Sequence, residues 1–309
     1  LGARAMAVVS ILTGKYRLSK RGAAEALEDL FGLRVCDGTI CNTESRVAAV
    51  LETPVEEAKA YVALQPVVHI DETGWWLGKQ RAWLWSAVTV GVTVFLLSLS
   101  RGAKVAKELL GEAFGGIAIS DRYSAYHWIA AAHRQVCWSH LKRDFQKIAE
   151  RGEQSAEIGN TLLYWRAEMF ALWDRFQTHA ISRLTLRRQM APIRAMIADT
   201  LRYGTACSHP KTANTCRQIV AVERALWTFL RVEGVQPTNN SAERAIRPAV
   251  MWRKTSFGTD SDTGARFVER VLTVTATCRQ QDRNPLTFIH EAILAAFSNR
   301  PAPSLLPAT

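Results

Sequence analysis

Residues 65–78 read QPVVHIDETGWWLG. An apolar run, Val67 to Ile70, carries one histidine and ends on two acids, Asp71 and Glu72. A turn-like Thr73-Gly74 follows, then Trp75 and Trp76. Short β-branched runs bounded by turn residues read as buried strands. The segment therefore predicts a strand with two carboxylates at its tip. Period-two alternation puts Asp71 and Glu72 on opposite faces, with His69 on the face of Asp71.

Working outward, RAWLWSAVTV and VTVFLLSLS predict a hairpin, and RGAKVAKELLGEAF an amphipathic helix. GGIAISD predicts a short strand, YSAYHWIAAA a helix, HRQVCW a strand and SHLKRDFQKIAERG a helix. The order is β-β-β-α-β-α-β-α. A meander followed by alternation predicts an α/β fold, a mixed sheet flanked by helices. The 19 uncharged residues Ala82–Ser100 are long enough for a membrane span. Their Val and Thr content and central Gly91 point instead to two strands and a tight turn, so no membrane partner is expected.

The remaining segments divide into modules. Residues 1–64 predict a helical, helix-turn-helix-like segment. Within it, RGAAEALEDLF is amphipathic, Gly32 is a stop, and Thr39 is a candidate cap for ICNTESRVAAVL. A plain helical hairpin explains the same pattern. Residues 65–150 form the first part of the α/β core, 151–236 an all-helical insertion and 237–300 the last part of the core. Residues 301–309, rich in proline, are expected to be a disordered tail. The chain opens LGARAMAVVS without an initiator Met, which reads as a piece of a longer chain.

The 309 residues carry 39 Lys plus Arg against 28 Asp plus Glu, a net charge of +11. By segment the excess is 0 over 1–60, +3 over 61–150, +5 over 151–236 and +3 over 237–309. Such a balance favours polyanionic partners, nucleic acid first. Six cysteines are spread thinly, none at a paired zinc spacing, which fits a reducing cytoplasm.

Asp71 and Asp121 each end an expected strand, and the topology can set those strands side by side. The carboxyl ends of strands are where open α/β sheets build sites. Two facing carboxylates repel unless a cation lies between them, and oxygen ligands select hard cations such as Mg²⁺. A third acid would complete a two-metal site, its ions roughly 3.5–4 Å apart. Glu243, in TNNSAERAIRP, is the candidate; Asn239, Glu243 and Arg247 recur at helical spacing. Spacing alone leaves other readings open. Asp often forms turns at strand ends, and an acid in a first helical turn can simply pair with Arg247.

Five segments in order resemble one family: HIDETGWW (69–76), SDRYSAY (120–126), CWSHLKRDF (137–145), PTNNSAERAIRP (237–248) and RKTSFGTDSDTGA (253–265). The chain is similar to bacterial insertion-sequence transposases of the IS-sixty-six family. The resemblance implies a ribonuclease-H-like fold with a D-D-E catalytic core. It makes Asp71, Asp121 and Glu243 the catalytic, metal-binding acids, with Mg²⁺ as cofactor and Mn²⁺ as a substitute. It implies cleavage and rejoining of double-stranded DNA at terminal repeats and target, by a homo-oligomer in a synaptic complex, with accessory proteins of the element. It also implies a bacterial, nucleoid-associated location. His140, Lys142, Arg143, Arg244, Arg247 and Lys254 are candidate DNA contacts. CWSH resembles a C-x-x-H signature, yet two ligands do not fill a zinc site; Cys137 buried at a strand end and His140 capping or packed in a helix explain it better than direct catalysis, although His140 near a phosphate is the alternative. Trp75, Trp76 and Trp138 suit base stacking or core packing. A catalytically inactive DNA-binding relative and a stand-alone nuclease of the same fold remain alternatives.

Overall fold

The quoted stretch is strand β1, Val67–Leu77, in a computed structural model that describes residues 1–307. It is longer than expected. Antiparallel pairing with β2, Gln80–Val88, runs unbroken from His69 opposite Val88 to Leu77 opposite Gln80. Thr73 and Gly74 are therefore strand residues, and the turn falls at Gly78, where φ is 55°. Gly74 marks a close approach instead: a Cβ there would sit 2.3 Å from the Arg81 guanidinium. Asp71 and Glu72 consequently lie within the strand rather than at its tip.

The other strands fall where the apolar runs place them. β3, Thr93–Ser98, completes an antiparallel meander on β2. β4, Ile117–Ser120, and β5, Arg134–Val136, pair in parallel. Antiparallel and parallel pairing together make the strands of mixed sense, as the α/β, ribonuclease-H-like class requires. The uncharged Ala82–Ser100 stretch forms the β2–β3 hairpin, and no helix among the described residues is long and apolar enough to cross a membrane.

Two compact units divide the chain: Leu1–Gly116 with Asn240–Thr309, and Ile117–Asn239. In the first unit, α1 (Ala3–Ser10) continues through one wider turn to Lys15 and packs on α3 (Asp37–Val50) and α14 (Pro285–Phe297). Between them, α2 (Lys20–Phe31) is capped by the Ser19 hydroxyl and stops at Gly32, as expected. The cap of α3 is Cys36, not Thr39, because the Cys36 carbonyl already accepts the Thr39 and Ile40 amides. α4 (Glu52–Ala63) precedes β1, and α5 (Ala103–Leu110) follows β3.

β3 leaves one row of amides unpaired by strands, and α13 (Asp262–Gln280) takes them. Thr93, Phe95 and Leu97 donate to the side chains of Thr277, Thr273 and Glu269. The match is geometric. Two strand residues rise about 6.6 Å and four helical residues about 6 Å, so every fourth residue of α13 meets every second residue of β3. A helix thereby covers a strand edge.

The second unit holds β4, β5 and α6 (Trp138–Ala149) through α11. YSAYHWIAAA forms two short 3₁₀ turns rather than a helix, since the Asp121 carboxylate takes the Tyr123 amide and opens a turn. Residues 151–236 are helical: α7 (Glu153–Gln177), α8 (Arg183–Gly204), α9 (Pro210–Val220) and the short α10 (Glu223–Leu226) and α11 (Thr228–Arg231). Trp138 and Trp227 pack at 5.0 Å, and the Trp138 indole donates to the Leu226 carbonyl. The expected disorder of the tail does not hold for residues 301–307. They lack regular structure, but Leu305 is buried, and its carbonyl and that of Ser304 accept from Gln281 and Arg283.

Candidate active site

In the first unit the two acids of β1 have different surroundings. Glu72 is spent on an ion pair: Arg101 donates to its Oε1 from Nε at 3.0 Å and Nη2 at 2.8 Å. Its side chain is only 2% exposed. The Asp71 carboxylate is half-buried and accepts the Glu72 amide at 3.0 Å. Opposite it stands the small, buried Ser86, whose hydroxyl donates to the Asp71 carbonyl.

Glu243 lies in the first turn of α12, Asn240–Ser256. Ile246 and Ala249 bury the neighbouring face of α12 against Trp75, Ala82 and Leu84 of β1 and β2. Trp75 and Trp252 meet edge to face at 6.4 Å, and Arg253 donates to Thr73 and to the Gly74 carbonyl. These contacts fix the helix on β1, the strand of Asp71. Glu243, Arg247 and Lys254 recur at i, i+4 and i+11 and so share one face; both cations are exposed. Arg244 lies on a different face.

In the second unit Asp121 directly follows β4, at the strand end its sequence predicts. It opens onto a cleft of about 470 Å³ shared with His140, Arg143, Asp144 and Lys147. The last four recur at i, i+3, i+4 and i+7 on α6, one helix face. Lys142 is exposed outside that lining. Asp144 is neutralised by Arg122, whose Nη2 approaches to 2.6 Å. Asp121 is not: among the described residues its carboxylate accepts only the Tyr123 amide, at 2.8 Å, and forms no ion pair. Arg134 beneath it donates to its carbonyl at 3.2 Å. Burial pushes the Arg134 guanidinium below its usual value, and the charge of Asp121 opposes the shift.

The family's other segments find structural reasons. Cys137 is buried at the start of α6; its amide donates to Ser120 and its sulfur accepts the Asn239 amide. The Pro237 carbonyl accepts the Trp138 amide, so PTNN anchors the approach to α12. Thr259 exchanges backbone bonds with Trp76 and Gly78, docking FGT along the end of β1. Of the three tryptophans, Trp75 and Trp138 are core residues, and Trp76 is 41% exposed beneath Arg81.

A sequence model described as "Transposase IS66 family" matches residues 2–267. The chain belongs to this family. Two relatives from Sinorhizobium fredii (strain NBRC 101917 / NGR234) also match. The uncharacterized protein y4qI is 28% identical over 248 residues, covering 72% of this chain and 45% of its own length. The uncharacterized protein y4hP is 26% identical over 229 residues, 66% of this chain and 40% of its own. The chain thus spans less than half the length of the relatives it matches. The matched region of this IS66-family chain includes all three acids.

Several residues of consequence were not legible beforehand. Arg101 and Arg122 neutralise Glu72 and Asp144 from 29 and 22 residues away. Nothing local couples those positions. Arg134 carried a weak signal, a cation at the head of the short strand β5.

Proposed function

We propose that this chain is the catalytic region of a D-D-E transposase, cutting and rejoining DNA strands of an insertion sequence, with Asp71, Asp121 and Glu243 as its catalytic acids. The observation that carries the reading is Asp121: a carboxylate with no ion pair among the described residues, just past a strand end, in a cleft lined by Arg143, Lys147 and His140. An acid without an ion pair among the described residues, set beside cations, suits a site for a hard cation and a phosphate together. The proposed donors are all carboxylate oxygens, which suits Mg²⁺ or Mn²⁺. Bound ions would supply positive charge at the attacking and leaving oxygens of a phosphodiester. The protein's part is positioning. The Tyr123 amide orients the Asp121 carboxylate, the pairing of β1 fixes Asp71, and the packing of α12 on β1 fixes Glu243. His140, Lys142, Arg143, Arg247 and Lys254 are proposed backbone contacts for double-stranded DNA. A homo-oligomeric synaptic complex, accessory proteins and a nucleoid-associated location belong to the same reading.

Asp71→Asn, Asp121→Asn and Glu243→Gln preserve shape and hydrogen-bond acceptors. Each is expected to lower Mg²⁺-dependent cleavage and strand transfer by more than about 100-fold, since even partners of metal ligands cost 10–100-fold. Binding of element-end DNA should persist. Full activity in any variant removes that acid from the site. Binding without products in the unaltered chain favours an inactive DNA-binding relative, and cut but unjoined products favour a nuclease.

A further inference from the structure

The first unit carries a groove of its own, about 810 Å³ in volume. Its cations are Lys15 and Arg17 after α1, Arg244 on α12, Arg279 at the end of α13, and Arg283 beyond it; its one acid is Asp282. None of the five cations forms an ion pair among the described residues. Arg17 and Arg283 are held to the wall by the Pro248 and Ser304 carbonyls, which position a guanidinium without neutralising it. Arg17 and Asp282 hold φ of 63° and 53°, a strained region for such residues. Five cations on one surface repel unless a polyanion joins them.

The groove also has a direction. Ser241, Arg244, Ala245 and Pro248 line it at i, i+3, i+4 and i+7, one face of α12. Glu243 stands on the same turn and a different face. The groove is open: Val90 at its rim is 100% exposed and Tyr16 57%. An open cationic surface suits a polymer backbone better than an enclosed small molecule. We propose that this groove binds the sugar–phosphate backbone of DNA and tethers a substrate segment beside the helix that bears Glu243. The identity of the polyanion rests on the transposase reading above.

The test is fluorescence anisotropy of the whole chain with a labelled duplex of arbitrary sequence, across a salt series. The side chains of Lys15 and Arg279 are exposed and make no hydrogen bond among the described residues, so Lys15→Ala with Arg279→Ala should leave the fold intact. The double variant is expected to flatten the slope of log affinity against log salt by about 2 and to weaken binding about tenfold at low salt. Lys15→Arg with Arg279→Lys should restore both. Unchanged slope and affinity in the folded double variant overturn the proposal. A photocrosslinker on Val90→Cys, with Cys36→Ser and Cys41→Ser removing the exposed thiols, should yield a DNA adduct, and none would overturn it. Capture of a hexaglutamate peptide instead of the duplex points to an acidic protein partner and also overturns it. Asp121→Asn keeps its full salt slope under the proposal, so failure of the groove and failure of the acid assignment are separable.

Discussion

Arg101 reaches Glu72 through two nitrogens and leaves the carboxylate nearly buried, while Asp121 keeps its own free of any ion pair among the described residues. Which acid is spent on an ion pair is thus set one side chain at a time. Alternation alone separated Asp71 from Glu72, because successive strand residues face opposite ways. It did not reveal Arg101. Glycine shows the same dependence. Gly258 has φ of 148°, and a Cβ there would meet the Trp76 carbonyl oxygen at 2.2 Å. Gly258→Ala is therefore expected to cost about 1–3 kcal/mol, read as a lower urea midpoint, and an unchanged midpoint would refute the close approach. Cysteine reactivity follows exposure. Cys36 and Cys41 are exposed, and the other four thiols are buried. A hydrogen bond from Thr39 lowers the Cys36 pKa, while burial raises those of Cys216 and Cys278 to about 11. Maleimide on the native chain should modify two thiols quickly, and rapid modification of a third would contradict the packing.

At the scale of elements, the β3–α13 seam carries a pH signature. Glu269 is buried at 3% exposure, accepts the Leu97 amide and pairs with Arg266 at 2.7 Å. Burial outweighs that pairing and raises its pKa from 4.5 to about 7. The folded state therefore binds a proton that the unfolded state releases between these values. Stability from this group falls as pH rises through that window, then levels off, a change on the order of 3 kcal/mol. Glu269→Gln keeps an acceptor for Leu97 without the charge. Its stability relative to the parent should be greater at pH 8 than at pH 5, and an equal difference at both values would exclude the shift. The seam was only partly legible. The sequence placed residues 237–300 in the last part of the core, but the pairing of Thr273 and Thr277 with β3 needs both elements present. The strands were read well because apolar runs with turn residues between them have few other uses. β1 was read too short because Thr73-Gly74 is turn chemistry locally and strand pairing in context.

Over the whole molecule, charge and family membership carry the functional reading. A net charge of +11 predicted a polyanionic partner. The order of five short segments predicted the family, which the match over residues 2–267 establishes. Counting charges by segment placed the largest excess in 151–236. The groove, whose five cations form no ion pair among the described residues, instead draws on residues 15 to 283. Folding brings together charges that sequence windows average away. The candidate contacts divide likewise: Arg143 and His140 line the Asp121 cleft, Arg247 and Lys254 share the face of Glu243, and Arg244 turns into the groove.

The sequence by itself determined the mixed α/β class, the helical run over 151–236, the family and the three candidate acids. These follow from local periodicity and from motifs read in order. Tertiary packing set the rest: Asp71 lies within a long strand, Glu72 is locked to Arg101, and Asp121 opens on a cationic cleft with no ion pair among the described residues. Those outcomes depend on side chains far apart in the chain, and neither periodicity nor spacing encodes which charges will meet.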